Sequence, residues 1–113
     1  MKFEDKLQGE IVIMELSGKI MGGDEATMFH GKLHEYFGLN KKSVIVDLAK
    51  VDWMNSVGLG MLISALTSTK NSGGRLVLAN IDKIESILTI TRLITVFEHF
   101  DNLDAAKASF SAE

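Results

Sequence analysis

The 113-residue chain contains no cysteine and no proline. The lack of cysteine excludes disulfides, thiolate metal ligands and cysteine nucleophiles, and several classes of enzyme with them. The lack of proline means that glycine and short polar residues must form every chain reversal. The fold must therefore be stabilised by packing and hydrogen bonds.

Basic clusters and long apolar runs are also missing. Lys and Arg number 12 against 15 Asp and Glu, which gives a formal net charge of -3. A nucleic-acid partner needs concentrated Lys and Arg, so none is predicted. No apolar run approaches the roughly 18 residues that span a bilayer, and residues 1–6 lack the apolar stretch of a signal peptide. We therefore expect a cytoplasmic protein with no membrane partner.

The composition that is present is typical of a folded globular protein. Apolar residues make up 46% and charged residues 24% of the chain, far from the signature of disorder. The length fits one core, and no internal repeat, linker or low-complexity tract divides it. The sequence predicts a single domain over residues 1–113.

The first half of the chain alternates strand and helix signals. An apolar, β-branched run at residues 11–16 follows Gln8-Gly9, which suits a hairpin turn after a first strand. From Asp24 the apolar residues recur at helical spacing up to Phe37, with Gly38 as the expected C-terminal cap. Residues 44–48 form an apolar run that is typical of a central strand in a parallel sheet.

The second half continues this alternation. Helical spacing from residue 59 to residue 66 predicts a helix that starts near Ser56 and ends before Gly73-Gly74. A strand at residues 76–79, a helix around residues 81–88, a short strand at residues 94–97 and a terminal helix over residues 103–110 complete the order. The pattern predicts an α/β fold with a mixed sheet of four or five strands packed with about four helices.

The segment from residue 51 to residue 62 carries the strongest functional signal. It runs from the predicted central strand into the second helix, the edge of an α/β sheet where functional residues usually lie. Ser56 suits the N-cap, a role that contributes about 1 kcal/mol. Gly58 and Gly60 each cost a helix about 1 kcal/mol relative to alanine. We interpret them as leaving the serine hydroxyl uncrowded and open to another molecule, and we predict that this hydroxyl is accessible to solvent.

These residues resemble a known family signature. The chain reads Val-Ile-Val-Asp-Leu at residues 44–48 and Met-Asn-Ser-Val-Gly-Leu-Gly at residues 54–60. Together they resemble the signature of STAS-domain anti-sigma factor antagonists, whose usual form is Asp-Ser-Ser/Thr-Gly-Leu-Gly. The order of elements is similar over most of the chain. The resemblance implies a STAS-like fold and a regulator that binds a partner protein, so we predict no enzyme activity, no catalytic residue and no metal site.

The resemblance also implies a modification and its partners. Ser56 matches the serine that is phosphorylated by an anti-sigma factor that is also a serine kinase. The unphosphorylated form binds this kinase and frees the sigma factor, and a serine phosphatase reverses the modification. ATP and metal belong to those partners, so the chain itself needs no cofactor. We expect the partner-binding residues to be the loop aspartate and the residues around the serine: Asp24, Met54, Asn55, Val57, Gly58, Leu59, Gly60 and Met61.

Two positions depart from the family pattern. Asn55 stands where the family usually has aspartate, which keeps hydrogen-bonding capacity but removes a charge. The loop at residues 18–24 is longer and richer in glycine than the family's Gly-Glu-Leu-Asp, and Asp24 is our match for its aspartate. Of the apolar residues near the serine, Met54, Val57 and Met61 are interpreted as contact surface, with a place in the core as the alternative.

Other uses of these residues have less support. A hydrolase would need the Gly-x-Ser-x-Gly elbow and a base, and Ser56 has neither the preceding glycine nor a local histidine. His30 and His34 have the spacing of a helical metal pair but no evident third ligand. Within the same family, the alternative to an antagonist is a scaffold in a stress-signalling complex or an accessory module of a membrane transporter, because one fold serves several functions.

Overall fold

The computed structural model describes residues 1–111. Its strands and helices follow the predicted alternation and confirm the α/β fold class with a mixed sheet. In chain order the elements are β1 (Lys2–Gln8), β2 (Ile11–Ile20), α1 (Asp24–Gly38), β3 (Ser43–Met54), α2 (Ser56–Asn71), β4 (Arg75–Ala79), α3 (Glu85–Ile90), a 3-10 turn (Leu93–Thr95), β5 (Glu98–Phe100) and α4 (Leu103–Ser111).

The strands form one sheet in the order β1-β2-β3-β4-β5. β1 and β2 pair in antiparallel fashion through the expected hairpin, where Gly9 has a φ of 64°. The other pairs are parallel, so each needs a crossover, and α1, α2 and α3 supply them. β3 is the central strand, as predicted: Val44 faces Val12 on one side and Leu76 on the other.

The two faces of the sheet bury different side chains, because residues alternate between the faces of a strand. Val44, Val46 and Leu48 of β3 belong to the larger core, together with Phe29 of α1 and Leu62 of α2. The other face is covered by α4, whose Ala106 lies in a smaller cluster with Ile45 and Val77. Within residues 1–111, no helix is both long and apolar enough to cross a membrane.

The second strand continues beyond the apolar run that indicated it. Its register against β3 shifts between Glu15 and Ser17 and again between Gly18 and Lys19. Gly18 has a φ of 82°, which glycine adopts without strain. These irregularities let β2 continue to Ile20, which pairs with Met54 at the end of β3. The end of β2 thereby lies beside the start of α2.

The end of α1 differs in detail from the prediction. Gly38 is the last residue of the helix and not its cap. The left-handed position falls on Asn40, with a φ of 60°, and asparagine is the residue other than glycine that most often takes this role. The amides of Asn40 and Lys41 bond back to the carbonyls of Phe37 and Tyr36, both at 2.9 Å.

The predicted strand at residues 94–97 is wrong. Arg92 adopts a left-handed φ of 62°, and the chain then forms the 3-10 turn over Leu93–Thr95. Phe97 is buried in the larger core, where Ile94 also packs. The strand follows at Glu98–Phe100, an edge strand whose polar residues gave no apolar signal.

The third helix begins later than the predicted start near residue 81. It covers Glu85–Ile90, because the buried Ile81 and Ile84 precede it.

A hydrogen bond between side chains joins the first helix to the edge strand. Tyr36 Oη donates to Asp5 Oδ2 at 2.6 Å. This bond, followed by burial, raises the pKa of Tyr36 to about 12. Because the folded-state pKa exceeds the ordinary value of 10, the stabilisation is complete below pH 10 and is lost as the pH rises towards 12.

We predict that Tyr36→Phe lowers the free energy of unfolding by about 1 kcal/mol, because it removes one partly exposed hydrogen bond to a charged acceptor. Urea unfolding at pH 8 should show the difference. The difference in free energy of unfolding between the original protein and the variant should decrease above pH 10, because the tyrosine of the unfolded chain ionises there. Equal stability at pH 8 would show that the bond contributes nothing to folding.

Candidate functional site

Ser56 is the first residue of α2 and is exposed to solvent. Its hydroxyl makes no hydrogen bond to any other group among residues 1–111. The helix continues to Asn71 and ends before Gly73-Gly74, as the spacing of apolar residues predicted. The expectation that the serine begins this helix with an accessible hydroxyl is confirmed.

The N-cap of the helix is Asn55, so the expectation that Ser56 is the cap is wrong. Asn55 has an extended backbone, with φ -103° and ψ -177°, and its Oδ1 accepts from the amide of Gly58 at 2.9 Å. Its carbonyl accepts the first helical bond, from Leu59 at 2.9 Å. A cap residue must be non-helical to reach the amide three positions on, and Ser56 is already helical. The hydroxyl of Ser56 therefore has no part in capping.

The first turn of α2 also presents backbone donors. Asn55 satisfies the amide of Gly58, whereas the amides of Ser56 and Val57 have no acceptor within the helix. The aligned peptide dipoles place a partial positive charge at this end, and no acidic residue occupies the first turn. The surroundings of the serine oxygen favour negative charge.

Gly58 is required by contact within the chain. A Cβ at this position would lie 2.2 Å from the carbonyl oxygen of Ile20, at the end of β2. The amide of Asn55 donates to the same oxygen at 3.2 Å. Gly60 differs, since a Cβ there would meet nothing within 4 Å. The interpretation that both glycines make room for another molecule is thus wrong for Gly58, which makes room for β2, and stays a prediction for Gly60.

The apolar residues of the segment divide between core and surface. Met54, Leu59 and Met61 are each only 5% exposed and belong to the larger core. For the two methionines, the alternative of a place in the core is therefore the one observed. Val57 is 60% exposed, so it is the apolar side chain that this segment presents beside the serine.

A groove lies between α1 and α2, next to the serine. It has a volume of about 450 Å³, and its lining includes Gly22, Gly23, Ala26, His30, Val57 and Gly60. Gly22 has a φ of 88°, and a Cβ on it would lie 2.6 Å from Val57 Cγ1, so the glycine-rich loop packs directly against Val57. Asp24, the first residue of α1, follows this loop and is exposed. The loop thus joins the starts of the two helices.

The wall of this groove contains a histidine of low basicity. Burial, and then the charge of His34, lower the pKa of His30 below its ordinary value. The two rings lie on different neighbours, His30 edge-on to Phe29 with centroids 5.8 Å apart and His34 to Phe37 at 5.4 Å. Throughout residues 1–111, no group of three potential metal ligands occurs. Uncharged His30 leaves the groove without a cation at neutral pH.

Trp53 is a surface residue that the sequence analysis did not single out. It lies near the end of β3, three residues before the serine, and is 48% exposed. Its neighbour Met54 points into the core, as the alternation of side chains along a strand requires. The available signal was its type, because the chain contains one tryptophan and this residue is enriched at interfaces.

The two glycines of the motif provide a matched pair of substitutions. We predict that Gly58→Ala lowers the free energy of unfolding by about 3 kcal/mol, because the new methyl group meets the backbone of Ile20. Gly60→Ala should raise it by up to about 1 kcal/mol, since alanine favours the helix and has open space. Urea unfolding of both variants measures the difference. Similar effects of the two substitutions would contradict the close approach of β2 to Gly58.

Replacement of the cap tests its contribution to α2. Asn55→Ala should lower stability by about 1 kcal/mol, whereas Asn55→Asp should keep it, because aspartate caps as well as asparagine. Asn71→Ala, at the exposed far end of the same helix, is the control and should change stability by less than about 0.5 kcal/mol. Thermal and urea unfolding provide the measurement. If Asn55→Ala lowered stability no more than Asn71→Ala, the capping role of Asn55 would be refuted.

Comparison with known proteins agrees with this arrangement of strands and helices. A relative from Thermotoga maritima, a proposed anti-sigma factor antagonist, is 27% identical over 107 residues, which cover 92% of this chain and 93% of the relative. A crystal structure of a proposed anti-sigma factor antagonist from the same organism has a TM-score of 0.82 at 23% identity, with 95% of this chain and 92% of that chain covered.

A second likeness concerns a protein solved in two states. The anti-sigma factor antagonist SpoIIAA of Bacillus, in its unphosphorylated form, has a TM-score of 0.74 at 15% identity, and 98% of each chain is covered. Its phosphorylated form has a TM-score of 0.73 at 15% identity, with 96% of this chain and 99% of that chain covered.

The sequence profile of the STAS domain family matches residues 2–106. The chain belongs to the STAS domain family.

Proposed function

We propose that this protein is an anti-sigma factor antagonist that is switched by phosphorylation of Ser56. In its unphosphorylated form it binds an anti-sigma factor that is also a serine kinase, and the sigma factor is released. The observation that carries the proposal is the exposed Ser56 hydroxyl at the first position of α2, free of any hydrogen bond within residues 1–111.

The relatives support this use of the fold. The Thermotoga maritima relative matches nearly the whole chain, and SpoIIAA adopts the same fold with and without phosphate. The chemistry of phosphoryl transfer then belongs to the partners. The kinase supplies ATP and metal, a serine phosphatase removes the phosphate, and this chain acts as their substrate and ligand in the cytoplasm.

The position of the serine allows phosphorylation without unfolding. A phosphoserine carries about -1.5 to -2 charges at neutral pH. The start of a helix stabilises such charge by about 0.3–1 kcal/mol, and the amides of Ser56 and Val57 remain free to donate to it. Because Asn55 caps the helix, modification of the serine removes no hydrogen bond that the fold uses.

Phosphorylation of Ser56 weakens the binding of a protein that covers the surface around this residue. The surface beside the serine presents the apolar side chain of Val57 and the open backbone of Gly60. A partner packed there would bury the phosphate, and the desolvation of a charged group costs several kcal/mol unless a cation pairs with it. A loss of about 3 kcal/mol weakens binding more than a hundredfold.

The test is titration calorimetry with the kinase encoded in the same genome. We predict that phosphorylated protein binds about a hundredfold more weakly than plain protein, while thermal unfolding of the two forms stays within a few degrees. Ser56→Asp should lose part of the affinity. Ser56→Ala should bind but no longer respond to kinase and ATP.

Thr67→Asp is the matched control, because Thr67 is an exposed residue further along the same helix. It adds a similar charge away from the first turn and should keep full affinity. Equal affinity of the phosphorylated and plain forms would overturn the switch. Unfolding of the phosphorylated form would overturn the mechanism, even if binding were lost.

A further inference from the structure

A second cleft, distinct from the groove between α1 and α2, has residues close to the serine in sequence in its lining. It is bounded by Trp53 at the end of β3 and by Ile90 at the end of α3, and its volume is about 310 Å³. Met54, Ile84 and Ile87 complete the apolar part of its lining. The two depressions have no lining residue in common.

The two residues that bound this cleft are large and exposed. Ile90 is 81% exposed and Trp53 is 48% exposed. A single exposed apolar side chain on a surface is ordinary. Here the two flank a common apolar floor, and contiguous apolar surface of this kind marks sites of protein contact. Tryptophan in particular is enriched where binding energy concentrates.

Acidic residues lie next to the cleft. Asp82 and Glu85 are exposed and line an adjoining depression that shares Ile90 with the cleft. Asp52 is exposed as well, and Lys83, the basic residue of the cleft, lies with its Nζ 3.7 Å from Asp52 Oδ1. Two carboxylates therefore line the depression next to the cleft, and a third forms an ion pair with the ammonium group that lines the cleft itself. An apolar centre with a charged rim selects a partner with the opposite charge.

The cleft is continuous with the corner that holds the serine. Trp53 and Met54 directly precede Asn55, the cap of α2, and Ser56 follows it. A protein that packs over Ser56 and Val57 therefore reaches the Trp53 edge of the cleft with little additional surface. The continuity with the serine, the apolar floor of the cleft and the carboxylates beside it together favour a protein over a small molecule as the occupant.

We propose that the cleft between Trp53 and Ile90 is a second contact for the partner that covers Ser56, and that it receives an apolar side chain carried on a basic surface of that partner. This proposal rests on the proposed function, with the anti-sigma factor kinase as the partner. The cleft supplies affinity in both forms of the protein, and Ser56 supplies the response to phosphorylation.

The experiment is calorimetric titration of the kinase with four proteins: plain and phosphorylated chain, each with and without Ile90→Ser. We expect Ile90→Ser to weaken binding by about tenfold or more in both forms, because contacts that do not touch act additively. The ratio between plain and phosphorylated affinities should stay the same. Leu39→Ser is the control, because Leu39 is 68% exposed but follows α1, before β3 begins. It should leave affinity unchanged.

Two further measurements test the chemistry of the occupant. The emission of Trp53, the one tryptophan of the chain, should shift to shorter wavelength when the kinase binds. Glu85→Lys should slow association, and the slowing should weaken as salt is added, because rim charges act mainly on association. An association rate unaffected by Glu85→Lys would overturn the basic partner surface.

The remaining outcomes separate this proposal from the switch. If Ile90→Ser binds as tightly as Leu39→Ser, the cleft is no contact, whatever the effect of phosphate. If Ile90→Ser weakens binding while phosphate has no effect, the cleft stands and the switch at Ser56 is overturned. A concentration-dependent shift of Trp53 emission in the chain alone, abolished by Ile90→Ser, would identify a second copy as the occupant and overturn the proposal. Failure of every form to bind the kinase would overturn both.

Discussion

The site depends on the contact between the carbonyl of Ile20 and the first turn of α2. That oxygen accepts a hydrogen bond from the amide of Asn55, and the lack of a side chain at Gly58 lets the helix approach it. The contact exists because two register irregularities carry β2 as far as Ile20. It fixes where α2 begins, and therefore where Asn55, Ser56 and Val57 lie on the surface.

The division of labour between Asn55 and Ser56 explains how one position can change its charge inside a stable fold. Asn55 holds the helix start through its side chain and its backbone. The hydroxyl of the neighbouring Ser56 is then not needed to stabilise the start of the helix. Had the serine been the cap, its modification would have removed a bond worth about 1 kcal/mol. The family's usual aspartate at the position of Asn55 would cap the helix equally well.

Much of this structure could be predicted from the sequence, and the failures have physical causes. Long periodic segments such as α2 and continuous apolar runs such as β3 were evident, because burial on one or two faces dictates their pattern. β5 was missed because an edge strand of three largely polar residues carries no such pattern, and the apolar residues before it fill the core instead. The role of Gly58 was misjudged because the group that excludes a side chain at this position is the carbonyl of Ile20 at the end of β2. This contact exists only in the folded chain.

The order of the strands has a consequence for how the protein reaches its native state. Each strand pairs with the one that precedes it in the chain, so the sheet forms without pairing of its first and last strands. Sheets that pair neighbouring strands have shorter sequence separations between contacting residues than sheets that pair the two chain ends, and shorter separations favour faster folding. During synthesis, strands and helices can be added one after another to the growing edge of the sheet. The elements around Ser56, which are β2, β3 and α2, are all synthesised before the last strand and helix.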